Sequence, residues 1–336
     1  MIRTLSKRRR RSLAAVLASA AIATALAGCG GKQDSASGGD ADSCEAPEGR
    51  LTIATGNSTG VYFVLGGGMA QLINSKTDLK ATAAETGASV QNVEGVVSGD
   101  YDMAFSLADT AADAVNGTGS FDEAQPIESL GRIYTNYTQV VVRKGAGISS
   151  IEDMAGKAIS TGSPQSGTEV IATRLLETAG LDIDSDIDAQ RLDLEVTVDA
   201  MKDGSVDGFF WSGGIPTAGV TDLFTSMGGD VEFLDITPQM SAMQEISPVY
   251  QEGTVPAATY DLPGDVKTIV VPNLLVVKDD FAPNTACAIT TLVFENKAEL
   301  EKVHPAAAEL DPKLALETDP VPLNDGSQTA LDELGS

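Results

Sequence analysis

The sequence predicts an α/β fold made of two lobes of like design. Three observations lead there. Short apolar runs alternate with helical patterns along the chain, which argues for a largely parallel sheet. A turn of glycines and hydroxyl or amide residues, Thr55-Gly56-Asn57-Ser58-Thr59-Gly60, recurs in kind as Thr161-Gly162-Ser163-Pro164-Gln165-Ser166-Gly167-Thr168, an offset of 106 from Gly56 to Gly162. A second, unrelated stretch, Gly99-Asp100-Tyr101-Asp102-Met103-Ala104-Phe105-Ser106, is echoed by Gly204 to Ser212 at an offset of 105. Two motifs repeated at nearly one offset imply a doubled unit.

The first element is an address. Arg8 to Arg11 are basic and Leu13 to Leu26 form an apolar stretch too short for a good membrane span, so residues 1–28 read as a secretory signal. It ends in Leu26-Ala27-Gly28-Cys29, which resembles a bacterial lipobox, with Cys29 the expected lipidation site and membrane anchor. Residues 29–43 have no apolar periodicity and read as a flexible tether. The folded body is expected as lobe I (44–138 and 270–336) and lobe II (139–269), anchored outside the cytoplasm.

Within lobe I, Leu51 to Ala54 read as a strand, followed by the glycine turn and a helix with Val61, Leu65, Met69, Leu72 and Ile73 on one face. Ser89 is placed to cap a helix with Val90, Val93 and Val97 inward, and Asp109 to cap the next, running to about Val115. In lobe II, Val140 to Val142 and Ala158 to Ser160 read as short strands. Thr168 or Ser166 can cap a helix with Val170, Ile171, Leu175 and Leu176 inward, which Gly180 stops. The runs Gln139 to Val142 and Val266 to Val277 are candidates to cross between the lobes as a hinge.

Charge and missing groups narrow the function. The chain carries −26, and loss of six basic residues with the leader leaves −32, which disfavours nucleic acid and anionic membrane surfaces as partners. There is one histidine, His304, and no Gly-x-Ser-x-Gly elbow, zinc spacing or Walker loop, so an extracytoplasmic enzyme is disfavoured and neither cofactor nor metal is implied. The run Asp182-Ile183-Asp184-Ser185-Asp186-Ile187-Asp188 lacks the glycine and glutamate of a calcium loop and reads as a solvated acidic loop. Cys44 and Cys287 remain once Cys29 is set aside, and outside the cytoplasm two such cysteines commonly pair.

The chemistry sits in the turns. A strand-to-helix turn presents free backbone N–H groups, and the helix dipole favours a negative group there. Ligands of open α/β sheets bind beyond the carboxyl ends of the strands, so two facing turns can line one cleft. Asn57, Ser58 and Thr59 form the first seat for a small anion; Ser163, Ser166, Gly167 and Thr168 form the second. Plain turn chemistry and capping account for the same residues. Tyr62 is either a wall of the cleft or core, and Ser89 and Asn92 either touch the ligand or serve the helix start. Trp211, the sole tryptophan, precedes Ser212-Gly213-Gly214 at a strand end and is either wall or core. Arg132 and Arg174 are weaker candidates for a carboxylate clamp, since the helix pattern puts Arg174 near solvent.

The mature chain, from about Leu51 to Leu323, resembles the TAXI family of TRAP-transporter solute receptors. The resemblance is carried by Ala54-Thr55-Gly56 through Gly60-Val61-Tyr62, by Gly87-Ala88-Ser89-Val90-Gln91-Asn92, and by Ser98-Gly99-Asp100-Tyr101-Asp102. It continues in Asp153-Met154-Ala155-Gly156-Lys157, the Gly162 to Thr168 turn, and Phe210-Trp211-Ser212-Gly213-Gly214-Ile215-Pro216. Where that family tends to carry His-Pro-Gly-Ala, this chain has Leu323-Asn324-Asp325-Gly326-Ser327. The resemblance implies a type II periplasmic-binding-protein fold. It also implies delivery of a small carboxylate, such as glutamate, glutamine or a related acid, to a TRAP permease. The receptor of an ABC importer is the nearest alternative.

Overall fold

The computed structural model describes residues 44–336. The expected leader (1–28), the tether (29–43) and the lipidation site Cys29 lie outside the described residues.

The first lobe opens with β1 (Gly49–Ala54), α1 (Val61–Lys76), β2 (Leu79–Ala84), α2 (Ser89–Ser98), β3 (Met103–Leu107) and α3 (Ala108–Asn116). A long strand, β4 (Ile127–Arg143), leads into the second lobe: β5 (Ala158–Ser160), α4 (Gly167–Thr178), β6 (Asp188–Gln190), α5 (Leu194–Asp203), β7 (Gly208–Gly213), α6 (Ala218–Met227), β8 (Val231–Phe233), α7 (Met240–Ile246) and β9 (Gln251–Val255). A second long strand, β10 (Val266–Lys278), returns to the first lobe, which α8 (Pro283–Glu295), α9 (Lys297–Val303), α10 (Pro312–Ala315) and α11 (Asp325–Leu334) complete.

The strands join in the order β2-β1-β3-β10-β4-β7-β5-β6, with β8 added on β4 and β9 on β10. β1 pairs in parallel with β2 and β3, and β5 with β6 and β7; β4 and β10 run antiparallel to their neighbours. Each lobe therefore repeats one order: second strand, first strand, third strand, then a crossing strand. β4 pairs with β10 as far as Tyr137 and from Tyr137 onward with β7. β10 pairs with β9 up to Val270 and with β3 from Asn273. Val140 to Val142, expected as a short strand, is the end of seventeen-residue β4. Its earlier part escapes a hydropathy reading because it buries Asn136 and Gln139 among hydrogen-bond partners.

Helix periodicity translates directly into packing. Val61, Leu65, Met69, Leu72 and Ile73 of α1 are all buried. α1 also lies close against the end of its own strand: a Cβ on Gly66 would collide with Thr55 Cγ2. A separate apolar cluster serves the outer second lobe, with Val141, Leu194, Val198, Met201, Phe209 and Val220 inside it.

The second sequence echo is a repeated stitch. Gly99 (φ +82°) and Gly204 (φ +83°) end α2 and α5 in the left-handed conformation that glycine adopts freely. Asp102 then donates its N–H to Thr52 O (3.0 Å) and accepts Thr52 N–H at Oδ2 (2.7 Å). Asp207 makes the same pair with Ala158, at 2.7 and 3.1 Å. Each aspartate registers the third strand of its lobe on the first.

Two expected caps are corrected. The residue before α2 is Ala88; Ser89 is already helical, and its Oγ accepts Leu107 N–H. α3 starts at Ala108 behind Leu107, with Asp109 inside its first turn and fully buried. Of the two caps offered for α4, Ser166 serves, its Oγ accepting Glu169 N–H at 3.0 Å. Cys44 and Cys287 are bonded, with Cα atoms 5.1 Å apart, joining the segment before β1 to α8. The Leu323 to Ser327 stretch docks the C-terminal helix. Asn324 caps α11 and donates its N–H to Ser129 O, and a Cβ on Gly326 would collide with Pro283 O. Among the described residues no helix is long and apolar enough to cross a membrane.

Candidate ligand-binding cleft

The two echoed turns occupy equivalent places, after the first strand of each lobe, β1 to α1 and β5 to α4. They meet: Asn57 Nδ2 donates to Ser163 Oγ at 3.1 Å, two residues at matching positions of the repeat. Between and behind them is a cavity with about 440 Å³ of space between atoms, part of it open to solvent.

Three helix N-termini border this cavity, through Val61 of α1, Ser89 of α2 and Gly167 of α4. Neither α1 nor α2 has a side-chain cap among the described residues. The first N–H groups of α2, at Val90 and Gln91, take the carbonyl of Gln165 from the opposite lobe (3.1 and 3.2 Å). The hydroxyls of Ser89, Ser166 and Thr168 accept backbone N–H groups from Leu107, Glu169 and Ser212. A hydroxyl that accepts still has its proton to donate. The rim thus presents O–H donors beside positive helix ends, the α2 N–H groups at Val90 and Gln91 being held by Gln165.

The floor belongs to the crossing strands. Tyr62 donates its hydroxyl to Asn273 Oδ1 (2.6 Å), Asn136 Nδ2 donates to the same oxygen (3.2 Å), and Ser212 Oγ donates to Asn136 Oδ1 (2.6 Å). Burial holds the Tyr62 and Tyr134 hydroxyls far above the ordinary tyrosine range, so both stay protonated. Trp211 forms a side wall against Gly60, whose added Cβ would come 3.3 Å from the ring, and its Nε1 donates to Thr217 Oγ1.

Of the residues expected at the site, Asn57, Tyr62, Ser89, Ser163, Ser166, Gly167, Thr168, Trp211, Ser212 and Gly213 line this cavity. Three do not. Ser58 lies on the exposed side of the turn, its N–H bonded to Glu85. Thr59 borders a separate surface hollow beside Pro216 and His304. Asn92 is fully buried and donates to Thr55 O and Phe105 O, so it braces two strand ends. Neither arginine reaches the cavity. Arg132 pairs with Glu317 at 3.2 Å. Arg174 is not near solvent, as its helix pattern suggested, but buried in ion pairs with Asp109 (3.0 Å) and Asp113. In the acidic loop, Asp182 Oδ1 accepts the N–H groups of Asp184 and Ser185.

Sequence reasoning missed Tyr134, Asn136 and Leu107, which also line the cavity. Tyr134 and Asn136 are two apart on β4 and so share a face. Their alternation within a strand was the available signal, hidden by the polarity around them.

The doubled strand order, crossed by β4 and β10 with a cleft at the strand ends, defines a type II periplasmic-binding-protein fold. The sequence profile of the NMT1-like family matches residues 53–335, and the chain belongs to that family. Among solved structures it is similar to a protein of Bordetella bronchiseptica RB50, at 18% identity and a TM-score of 0.55, over 85% of this chain and 98% of that one. It is more distantly similar to the periplasmic aliphatic sulphonate binding protein SsuA of Escherichia coli, at 15% identity and a TM-score of 0.45, over 85% of this chain and 79% of that one. The GluR0 ligand-binding core of Nostoc punctiforme in complex with L-glutamate is similar at 14% identity and a TM-score of 0.44, over 76% of this chain and 97% of that one.

Proposed function

We propose that this protein is an extracytoplasmic receptor that captures a small carboxylate between its lobes and releases it to a TRAP-type membrane permease, held near the membrane by lipid on Cys29. The observation that carries the reading is the convergence of helix N-termini and hydroxyl donors on one small cavity between the lobes. Such a cavity stabilises an anion by short N–H and O–H contacts despite the acidity of the chain, because a distant field is screened within about 8 Å in physiological salt. The permease and the anchor rest on the TAXI resemblance and the Leu26 to Cys29 motif.

The test is a thermal-shift and calorimetric screen of carboxylates on protein freed of ligand by unfolding and refolding. A true ligand present at about 100 times its Kd stabilises the fold by about 2.7 kcal/mol. Saturable binding without turnover is expected. If no carboxylate raises the melting temperature, the carboxylate reading fails. Uptake in vesicles that requires a sodium gradient supports a TRAP permease, and uptake that requires ATP removes it.

A further inference from the structure

The two echoed turns cap helices of each other's lobes. The first N–H groups of a helix have no partner within it. Gln165, in the turn of the second lobe, directs its carbonyl to two such groups on α2 of the first lobe, at Val90 (3.1 Å) and Gln91 (3.2 Å). Asn57, in the turn of the first lobe, accepts at Oδ1 the N–H of Leu194 (3.3 Å), the first residue of α5 in the second lobe. α2 follows β2 and α5 follows β6, two strands that hold the same place in the doubled order. Each lobe thus lends an oxygen to the second helix of the other. Asn57 Nδ2 also joins the two turns directly, through Ser163 Oγ at 3.1 Å.

Gln165 is shaped for this contact. It holds φ +59°, the left-handed conformation that a Cβ disfavours. Such a conformation persists where its surroundings hold it in place. Its own lobe fixes its N–H on Glu169 Oε2 (2.8 Å), and Arg191 holds Glu169 in turn (2.6 Å). The opposite lobe takes the rest: α2 receives the carbonyl, and Glu94 accepts from Nε2 at 3.2 Å. Gln165 is exposed and borders a surface groove beside Glu94 and Glu169, outside the cavity. These bonds run from protein to protein, so their hold on the lobes does not depend on what fills the cavity.

We propose that Gln165 and Asn57 form a reciprocal latch, in which the turn of each lobe closes the N-terminus of a helix in the other. The lobes part only when α2 and α5 are uncapped together. The latch therefore slows opening, and with it the exchange of any occupant. It stands independently of the carboxylate reading.

The experiment is amide hydrogen exchange by NMR on the ligand-stripped protein, read at Val90, Gln91 and Leu194, with Val96 inside α2 as control. In the parent, the first three amides are expected to exchange at least about tenfold more slowly than in an unfolded chain, with protection within about threefold of one another. Asn57→Ala removes the partner of Leu194 and none of the bonds to α2. It is nevertheless expected to speed exchange at Val90 and Gln91 by about fivefold, because the lobes then part more often. Gln165→Pro, whose ring forbids φ +59°, is expected to do the same at Leu194. Val96 is expected to stay within about twofold in both variants. Unprotected Val90 and Gln91 amides in the parent overturn the latch. So do variants that each change only their own amide, since the two contacts then open separately. An equal loss at Val96 in Asn57→Ala overturns it as well, because the helix and not the lobe contact has given way. Where Gln165→Pro does not fold, Asn57→Ala decides alone.

Discussion

Ala88 holds φ +82° and ψ −148°, a backbone region that is nearly reserved for glycine, at the entry to α2 and on the wall of the cavity. Its methyl group packs toward Gly56, where an added Cβ would lie 3.5 Å away. Such a conformation costs about 1 to 3 kcal/mol, and part of that is regained when glycine replaces it, less glycine's larger entropy loss. Ala88→Gly is expected to stabilise the ligand-free protein by about 1 kcal/mol, read as a rise of about 2 °C in melting temperature. An unchanged or lower value means that the backbone there is not strained. Single residues are also where sequence reasoning was weakest. Ser89 and Asp109 have the composition of caps, yet one receives Leu107 N–H and the other receives Arg174. A residue type names the bonds it can make, while its partner arrives from elsewhere in the chain.

At the scale of elements, α3 and α4 are joined across the lobes by a buried ionic cluster. Arg174 and Tyr250 come from the second lobe, and Asp109 and Asp113 from the first. Asp109 has no exposed surface, and its carboxylate finds its partners in Arg174 and Tyr250. Arg174→Met is expected to destabilise the protein by about 3 to 5 kcal/mol in denaturant unfolding, because it strands a buried carboxylate. Adding Asp109→Asn is expected to recover part of that loss. An Arg174→Met variant as stable as the parent contradicts the role given to the cluster. The helices themselves were legible: the inward face of α1 follows from its period, and so does that of α4 at Ile171, Leu175 and Leu176. Arg174 was misplaced because a helix face that meets another lobe looks polar when read alone.

At the scale of the whole molecule, the lobes also touch through His304 and Pro216. His304, in the first lobe, presents Nε2 to Pro216 O at 3.0 Å and accepts Ala306 N–H at Nδ1. That pattern belongs to the neutral imidazole with its proton on Nε2. Burial lowers the His304 pKa below its ordinary 6.5, outweighing the bond to Pro216. The unfolded chain then binds this proton more readily than the folded one. The contribution to stability is complete above about pH 6.5 and is lost as pH falls from there through the folded pKa. Because His304 is the only histidine, its NMR titration reads the pKa directly. A midpoint below 6.5 is expected, and a midpoint at or above 6.5 refutes the assignment. His304→Asn is expected to flatten the decline in melting temperature between about pH 7 and pH 5.5.

The sequence alone determined the doubled α/β plan, because strand and helix periods are local and the two repeats share one offset. It also marked the two turns, since glycine and hydroxyl residues between a strand and a helix have few other uses. Only the tertiary structure decided which side of each turn faces the cavity. It put Asn57 inside and Ser58 outside, made Asn92 a brace, and brought Tyr134 and Asn136 from a crossing strand to the wall. The physical reason is that a cleft is made by surfaces distant in sequence. Their orientation is set by the packing of β4 and β10 across both lobes, which no local pattern encodes.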